Sequence, residues 1–191
     1  MSFAALLLLW SAVAFAGEYE DGVAAFERGN FKTAIAMFTK AANKGDAKAQ
    51  AMLGAVYAEG RGVPQDHKQA VSWFRKAAEQ GDAKAQAYLG VAYYEGQGVP
   101  QDYKQAVSWY RKAADQGLAA AQLVLGEMYL VGLGVTQDYA EAHKWFNIAA
   151  AYSTDEEDRD MAAKNRDIIA KKMTPAQLAE AQKRANEWKK K

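Results

Sequence analysis

The sequence predicts an all-α protein built as a stack of about five helix pairs, and three observations predict it. Alanine supplies more than a fifth of the 191 residues and proline only three, a composition that favours helices. A 36-residue unit recurs in tandem, and apolar residues in each unit follow two helical stripes. Units this thin cannot bury their apolar faces alone, so they stack on their neighbours.

The three copies cover residues 45–80, 81–116 and 117–152. The first two copies agree at 28 of 36 positions, and 16 positions are identical in all three. In the first copy Asp46 is placed to cap a helix. The apolar stripe of that helix has helical spacing and comprises Ala49, Met52, Leu53, Val56 and Tyr57.

A glycine-rich loop ending at Pro64 stops the first helix of the copy, because proline cannot continue the hydrogen-bond ladder. Asp66 with Gln69 is an acidic variant of the capping box and starts the second helix. The second helix has its own stripe, Ala70, Trp73, Phe74, Ala77 and Ala78.

Two recurring residues predict how the helices of a pair meet. Gly54 recurs as Gly90 and Gly126 although glycine destabilises a helix by about 1 kcal/mol relative to alanine. We therefore expect a close approach of the two helices near Ala70. The tryptophans are expected to wedge between successive pairs and to supply most of the buried apolar area; they are Trp73, Trp109 and Trp145.

Residues 1–16 are uncharged and almost entirely apolar, and they end in Ala14-Phe15-Ala16. This pattern is typical of a secretory signal peptide with a small-residue cleavage site. The run is shorter than the roughly 20 residues of a membrane-spanning helix. We expect cleavage after Ala16 and a periplasmic or secreted protein; the alternative is a chain tethered to the membrane by an uncleaved signal.

Charge and cysteine content exclude several classes of function. There are 24 basic and 23 acidic residues, so the net charge of +1 offers no field for a nucleic-acid partner. The chain has no cysteine, which excludes disulfides, thiol nucleophiles and thiolate metal sites.

The repeats resemble the tetratricopeptide class in Leu53-Gly54-x-x-Tyr57 and Ala70-x-x-x-Phe74, but Gln50, Gln86 and Gln122 stand where that class usually has tryptophan. Their length and their Gly60-x-Gly62-Val63 loops are similar to the Sel-one-like repeat. The resemblance implies a right-handed α/α superhelical solenoid that acts as an adaptor between proteins. Cysteine-rich secreted members are described as binding or hydrolysing β-lactams.

Four segments follow from these patterns. Residues 17–44 form an N-terminal tetratricopeptide-like repeat with a shorter loop, and residues 45–152 are the three Sel-one-like copies. Residues 153–191 are a C-terminal capping helix pair, with capping signals at Ser153-Thr154 and Thr174 predicting helices over 155–172 and 175–190. The signal peptide, 1–16, precedes them.

The sequence offers no catalytic residue, cofactor motif or metal-ligand set. The Ser-x-x-Lys pattern of penicillin-recognising enzymes is absent, because Arg75 and Arg111 follow Ser72 and Ser108 at the third position. His67 is replaced by tyrosine in the other copies, and His143 takes the place of a valine. Both histidines are therefore expected to have packing roles, with His143 partly buried.

Differences between the copies predict the binding face, since the shared positions maintain the framework. By resemblance to tetratricopeptide solenoids, one side of each first helix lines a concave groove. We expect Tyr94, Leu123 and Leu130 to anchor a peptide and Lys48 and Lys84 to meet its acidic groups; alternatively these residues pack on the adjoining pair or the terminal cap. The predicted face comprises Lys48, Ala55, Glu59, Lys84, Val91, Tyr94, Glu95, Leu123, Glu127 and Leu130.

The predicted function is a non-catalytic interaction scaffold of the bacterial envelope or secreted space that binds a protein or peptide in this groove. The expected partners include neither nucleic acid nor, after signal cleavage, the membrane interior. The alternative function is binding of β-lactams or peptidoglycan fragments, or weak hydrolysis of them, as in the cysteine-rich relatives.

Overall fold

The computed structural model describes residues 17–188, and all regular structure in that range is helical. The prediction of an all-α repeat fold is confirmed. The predicted signal peptide and the last three lysines, Lys189 to Lys191, lie outside the described residues. The helices are α1 (17–27), α2 (Phe31–Asn43), α3 (Ala47–Glu59), α4 (His67–Glu79), α5 (Ala83–Glu95), α6 (Tyr103–Asp115), α7 (Ala119–Val131), α8 (Tyr139–Tyr152), α9 (Glu156–Ala170) and α10 (Pro175–Glu187).

The chain divides into two compact units, Met1–Ala85 and Gln86–Lys191. The core of the first unit is built on Phe38 and Leu53 with buried alanines around them. The core of the second unit contains larger side chains, among them Trp145 and Phe146. Over residues 17–188, no helix combines the length and the apolar character that crossing a bilayer requires.

Helix ends follow the predicted capping residues. The Asp46 carboxylate accepts a hydrogen bond of 2.8 Å from the Ala49 backbone N–H, and Asp66 accepts one of 3.0 Å from that of Gln69. Gly60 ends α3 with a φ of 70°, a left-handed conformation that glycine adopts without a Cβ clash. Leu118 precedes α7 without any side-chain cap.

The helical glycines allow the close approach of the two helices of a pair, and the nearest atoms across it belong to an aromatic ring. A Cβ on Gly54 would lie 2.5 Å from a ring carbon of Phe74, and one on Gly126 would lie 2.7 Å from a ring carbon of Phe146. The close approach that the sequence predicts near Ala70 is therefore present, and its nearest contact is Phe74, one turn further along the second helix. Glycine is needed because a ring carbon of the second helix occupies the space that a Cβ on the first helix would fill.

The glutamines that replace tryptophan join one helix pair to the next. Gln50 donates from Nε2 to the Ala42 carbonyl at 3.1 Å, and its Oε1 accepts from Gln80 Nε2 at 2.8 Å. Gln122 makes the first of these bonds, to the Ala114 carbonyl at 3.0 Å. Its buried Oε1 has no partner within residues 17–188, because the position equivalent to Gln80 is Tyr152 in the third copy.

The three tryptophans differ in burial, and Trp73 packs against the core of the first unit. Trp145 is buried, whereas Trp73 and Trp109 are only half-buried. The ammonium groups of Lys76 and Lys112 lie 4.1 and 3.9 Å from the centroids of those two indole rings. Half-exposed tryptophans of this kind are stabilised by cation–π contact as well as by burial.

The two terminal helices are both held by α8. Helix α9 packs on α8 and α7, and α10 packs on α8. Arg184 on α10 donates to Glu141 on α8 at 2.9 Å. The cap of α9 is Asp155, which accepts from the Asp158 N–H at 3.0 Å, rather than the predicted Ser153 or Thr154; Thr174 forms the predicted capping box of α10.

Candidate functional site

Five of the ten predicted face residues line one cleft in the unit Gln86–Lys191. The cleft has a volume of about 580 Å³ and is partly open to solvent. This volume is within the range of roughly 300–1,000 Å³ found for ligand pockets, so the cleft accepts a few side chains. The predicted residues that line it are Val91, Tyr94, Glu95, Glu127 and Leu130, and the further lining residues are Tyr110, Val124, Met128, Val131, Leu133 and Asn165.

Four elements and a loop build the cleft. The last two turns of α5 and the matching part of α7 both line it. Residues three and four apart share a helix face, which brings Glu127, Leu130 and Val131 together. Tyr110 of α6 forms part of the floor, Leu133 comes from the loop after α7, and Asn165 comes from α9.

Side chains of the interhelix loops hold the ends of α5 and α7 where the cleft residues lie. Gln101 donates from Nε2 to the Tyr94 carbonyl at 2.8 Å, and Gln137 donates to the Leu130 carbonyl at 2.7 Å. Carbonyls in the last turn of a helix have no partner within the helix. These glutamines therefore stabilise the turn that presents each anchor side chain.

The acidic residues of the cleft have no counter-ion. Within residues 17–188 no ion pair involves Glu95 or Glu127, and no Lys, Arg or His lines the cleft. Partial burial raises the pKa of the Glu127 carboxyl above its ordinary value of 4.5. Apolar walls around an unpaired carboxylate disfavour its charged form.

The tyrosines form the aromatic part of the cleft. Tyr94 is 37% exposed, and its ring meets Tyr103 edge-on with centroids 5.4 Å apart. Tyr110 is buried; burial together with the neighbouring Glu95 and Tyr94 raises the pKa of its hydroxyl. Tyr110 is therefore a neutral floor, and Tyr94 is free to contact a ligand.

One predicted anchor does not reach the cleft. Leu123 is 6% exposed and belongs to the core of its unit. Its place in the repeat register is on the groove side of α7, but the packing of the neighbouring helices covers it. Leu123 is therefore a core residue, and the expectation that it anchors a partner was wrong.

The remaining predicted face residues lie in the unit Met1–Ala85. Lys48 and Lys84 are exposed, and Ala55 is half-buried. The Lys48 ammonium lies 6.0 Å from the centroid of the Tyr19 ring. Glu59 is exposed and forms an ion pair with Arg61 at 2.5 Å.

Neither serine nor histidine lines the cleft, so the serine–histidine pair of many hydrolases is absent from its lining. His143, expected to be partly buried, is 3% exposed, and burial lowers the pKa of its imidazole. In the described part of the chain, no three His, Asp or Glu side chains are grouped closely enough to hold a metal ion. What the arrangement offers is apolar contact and negative charge.

The repeat register did not identify all the residues that line the cleft. Asn165 has no signal in the repeat register, because it lines the cleft only once α9 has packed on α7. Val124, on α7, also lines the cleft but was not among the predicted face residues. Leu133 did carry a signal, since it is an apolar residue in a loop where the other copies have Arg61 and Gln97.

Comparison with solved structures shows the same architecture. The chain is 42% identical to c5321, a protective antigen of uropathogenic Escherichia coli strains with an SLR fold, over 91% of this chain and 37% of that one, with a TM-score of 0.79. It therefore spans little more than a third of the length of c5321. A Sel1 repeat protein from Oxalobacter formigenes is 29% identical over 86% of this chain and 72% of its own, with a TM-score of 0.69.

The MamA protein shares the fold alone, with 17% identity, a TM-score of 0.52, and coverage of 90% of this chain and 92% of its own. No curated protein matches the chain significantly. Repeats of the Sel1 and tetratricopeptide-like kind generally form protein-interaction scaffolds, and Sel1 repeat proteins are generally non-catalytic.

The sequence model of the Sel1 repeat matches residues 11–46, 47–82, 83–118 and 119–151. The first match contains the segment 17–44 that resembled a tetratricopeptide unit and begins within the predicted signal peptide, and the other three follow the 36-residue period. With four matched repeats covering most of its length and the same fold in solved Sel1 repeat proteins, the chain belongs to the Sel1 repeat family.

Proposed function

We propose that this protein is a non-catalytic scaffold that binds a peptide or protein segment in the cleft between α5 and α7. One observation carries the proposal: the cleft keeps apolar side chains open to solvent at the place where the repeat register predicts a binding face. Val131, on its rim, is 65% exposed. Exposed apolar patches with a polar rim are typical of interaction sites.

Tyr94, Leu130 and Val131 are the proposed anchors. Tyrosine contributes a large rigid contact area, and binding hot spots are enriched in it. Leu130 is half-buried in the free protein, so a partner would remove its remaining apolar surface from water at about 25 cal/mol per Å². Lys48 and Lys84, both exposed, remain proposed contacts for acidic groups of a partner on the unit Met1–Ala85.

We further propose that the protein works in the periplasm or secreted space, with the signal peptide removed after Ala16. The support is the uncharged apolar run of residues 1–16. N-terminal sequencing of exported protein tests this: a first residue of Gly17 is expected. Met1 or Ser2 at the N-terminus would refute cleavage and favour the membrane-tethered alternative.

A photo-crosslinking pair tests the binding site. A benzophenone amino acid is placed at Val131 in one variant and at Tyr152 in another, because both positions are 65% exposed and only the first lines the cleft. In cells, we expect a discrete crosslinked partner from position 131 and none from position 152. Adding Tyr94→Ala and Leu130→Ala should abolish the crosslink while circular dichroism shows a folded protein.

Equal labelling from both positions, or undiminished labelling in the folded double variant, would refute the cleft as the binding site. Mass spectrometry of the crosslinked band then identifies the partner.

A further inference from the structure

The charge and the apolar character of the cleft lining bear on which kind of segment binds there. Its lining contains two carboxylates, Glu95 and Glu127, and no basic side chain. The rest of the lining is apolar or aromatic, apart from the polar but uncharged amide of Asn165. The cleft therefore combines apolar contact surface with unneutralised negative charge.

The three copies show that this charge pattern is not required by the fold. In the first copy Glu59 is paired with Arg61 at 2.5 Å. The residues equivalent to Arg61 are Gln97 in the second copy and Leu133 in the third. Glu95 therefore keeps its carboxylate and has lost its cation, while Leu133 adds an apolar wall.

Glu127 strengthens the pattern. Its equivalents are Ala55 and Val91, so an uncharged residue at this position of α7 is compatible with the helix and its packing. Partial burial without a cation raises the pKa of its carboxyl, which means that the ionised form is poorly solvated where it stands. A cation brought by a ligand would stabilise it.

We propose that the cleft binds a peptide segment in which a lysine or arginine lies next to aliphatic side chains. The aliphatic side chains pack between Val91, Leu130 and Leu133, and the basic group meets Glu95 or Glu127. The inference rests on the proposed function, because it names the chemistry of the segment bound at that same site. The segment proposed for the cleft is basic, whereas the groups proposed to contact Lys48 and Lys84 are acidic.

Matched peptides test the charge. Four capped ten-residue peptides carry a benzophenone group: one with three leucines and two lysines, two in which glutamine or glutamate replaces the lysines, and one in which serine replaces the leucines. Labelling of the purified full chain is quantified by mass spectrometry and mapped by peptide sequencing. We expect the lysine–leucine peptide to label the cleft about fivefold more than the glutamine peptide, with the glutamate and serine peptides weakest.

Glu127→Gln and Glu95→Gln remove charge while keeping shape. Each substitution should reduce the ratio of labelling by the lysine peptide to labelling by the glutamine peptide. Together they should bring this ratio close to one without reducing labelling by the glutamine peptide. Glu59→Gln is the matched control, since that carboxylate already has Arg61 as its cation, and it should leave the preference unchanged.

Equal labelling by the lysine and glutamine peptides, or none by the lysine peptide, overturns the charge proposal. That result is separable from failure of the proposed function. A partner crosslinked in cells from position 131 but not from 152 would still support the cleft as a binding site, whereas loss of that difference would refute the site itself.

Discussion

The glutamines that link successive helix pairs permit a sharp test of how the repeats are held together. Gln50 and Gln122 occupy equivalent positions, and both are at least 95% buried. Gln50 makes two hydrogen bonds, to the Ala42 carbonyl and from Gln80. Gln122 makes one, to the Ala114 carbonyl, and its Oε1 has no partner among the described residues. Methionine has nearly the same length and volume and no strong hydrogen-bonding group.

The same substitution should therefore have different effects at the two positions. A typical hydrogen bond contributes about 1 kcal/mol net, and an unsatisfied buried acceptor costs about 1–3 kcal/mol. Gln50→Met loses two bonds, so we expect destabilisation of about 1–2 kcal/mol. Gln122→Met loses one bond but removes the orphaned oxygen, so its net effect should lie between neutral and stabilising by about 2 kcal/mol.

The assay is thermal unfolding followed by circular dichroism. A difference of about 2 kcal/mol between the variants corresponds to roughly 4–8 °C in Tm for a chain of this size, with Gln122→Met the more stable. Equal losses at the two positions would refute the argument, because they would show that the second bond of Gln50 and the orphaned oxygen of Gln122 contribute nothing.

Three further predictions follow from single contacts. Gly54→Ala should destabilise the protein by about 1–2 kcal/mol, because overpacking against the buried Phe74 ring exceeds the helix-propensity gain of about 1 kcal/mol. Combining it with Phe74→Leu should remove the penalty. A stabilised single variant would contradict the close contact. The Glu127 carboxyl has a folded-state pKa above 4.5, so it favours folding at pH below about 4.5 and loses that contribution as pH rises through the folded pKa. Glu127→Gln should therefore gain stability relative to the parent between pH 4 and 7 in urea titrations, and a pH-independent difference would rule this out. Arg184→Met breaks the 2.9 Å contact with Glu141. We expect faster hydrogen exchange over Pro175–Glu187 with at most about 1 kcal/mol of global destabilisation. Unchanged exchange would show that apolar packing alone holds α10.

The repeat architecture was predictable because it depends on local rules that recur in every copy. Helix caps such as Asp46 and Asp66, the loop glycine Gly60 and the apolar stripes act within a few residues of chain, so each can be identified in a single sequence. The repeat register, together with the resemblance to tetratricopeptide solenoids, assigned Val91, Tyr94, Glu95, Glu127 and Leu130 to one face, and in the structure all five line one cleft.

What the sequence by itself determined is therefore the family, the helices and their register. Only tertiary packing decided which residues on the predicted face stay accessible, because burial depends on neighbours distant in the chain. Leu123 and Leu130 both lie on the groove side of α7, yet Leu123 is covered while Leu130 lines the cleft. Packing of α9 likewise adds Asn165 to the lining of the cleft, although this residue lies outside the three repeat copies. Tertiary packing also decided the hydrogen bond between Gln50 and Gln80, because the two residues are thirty positions apart in the chain.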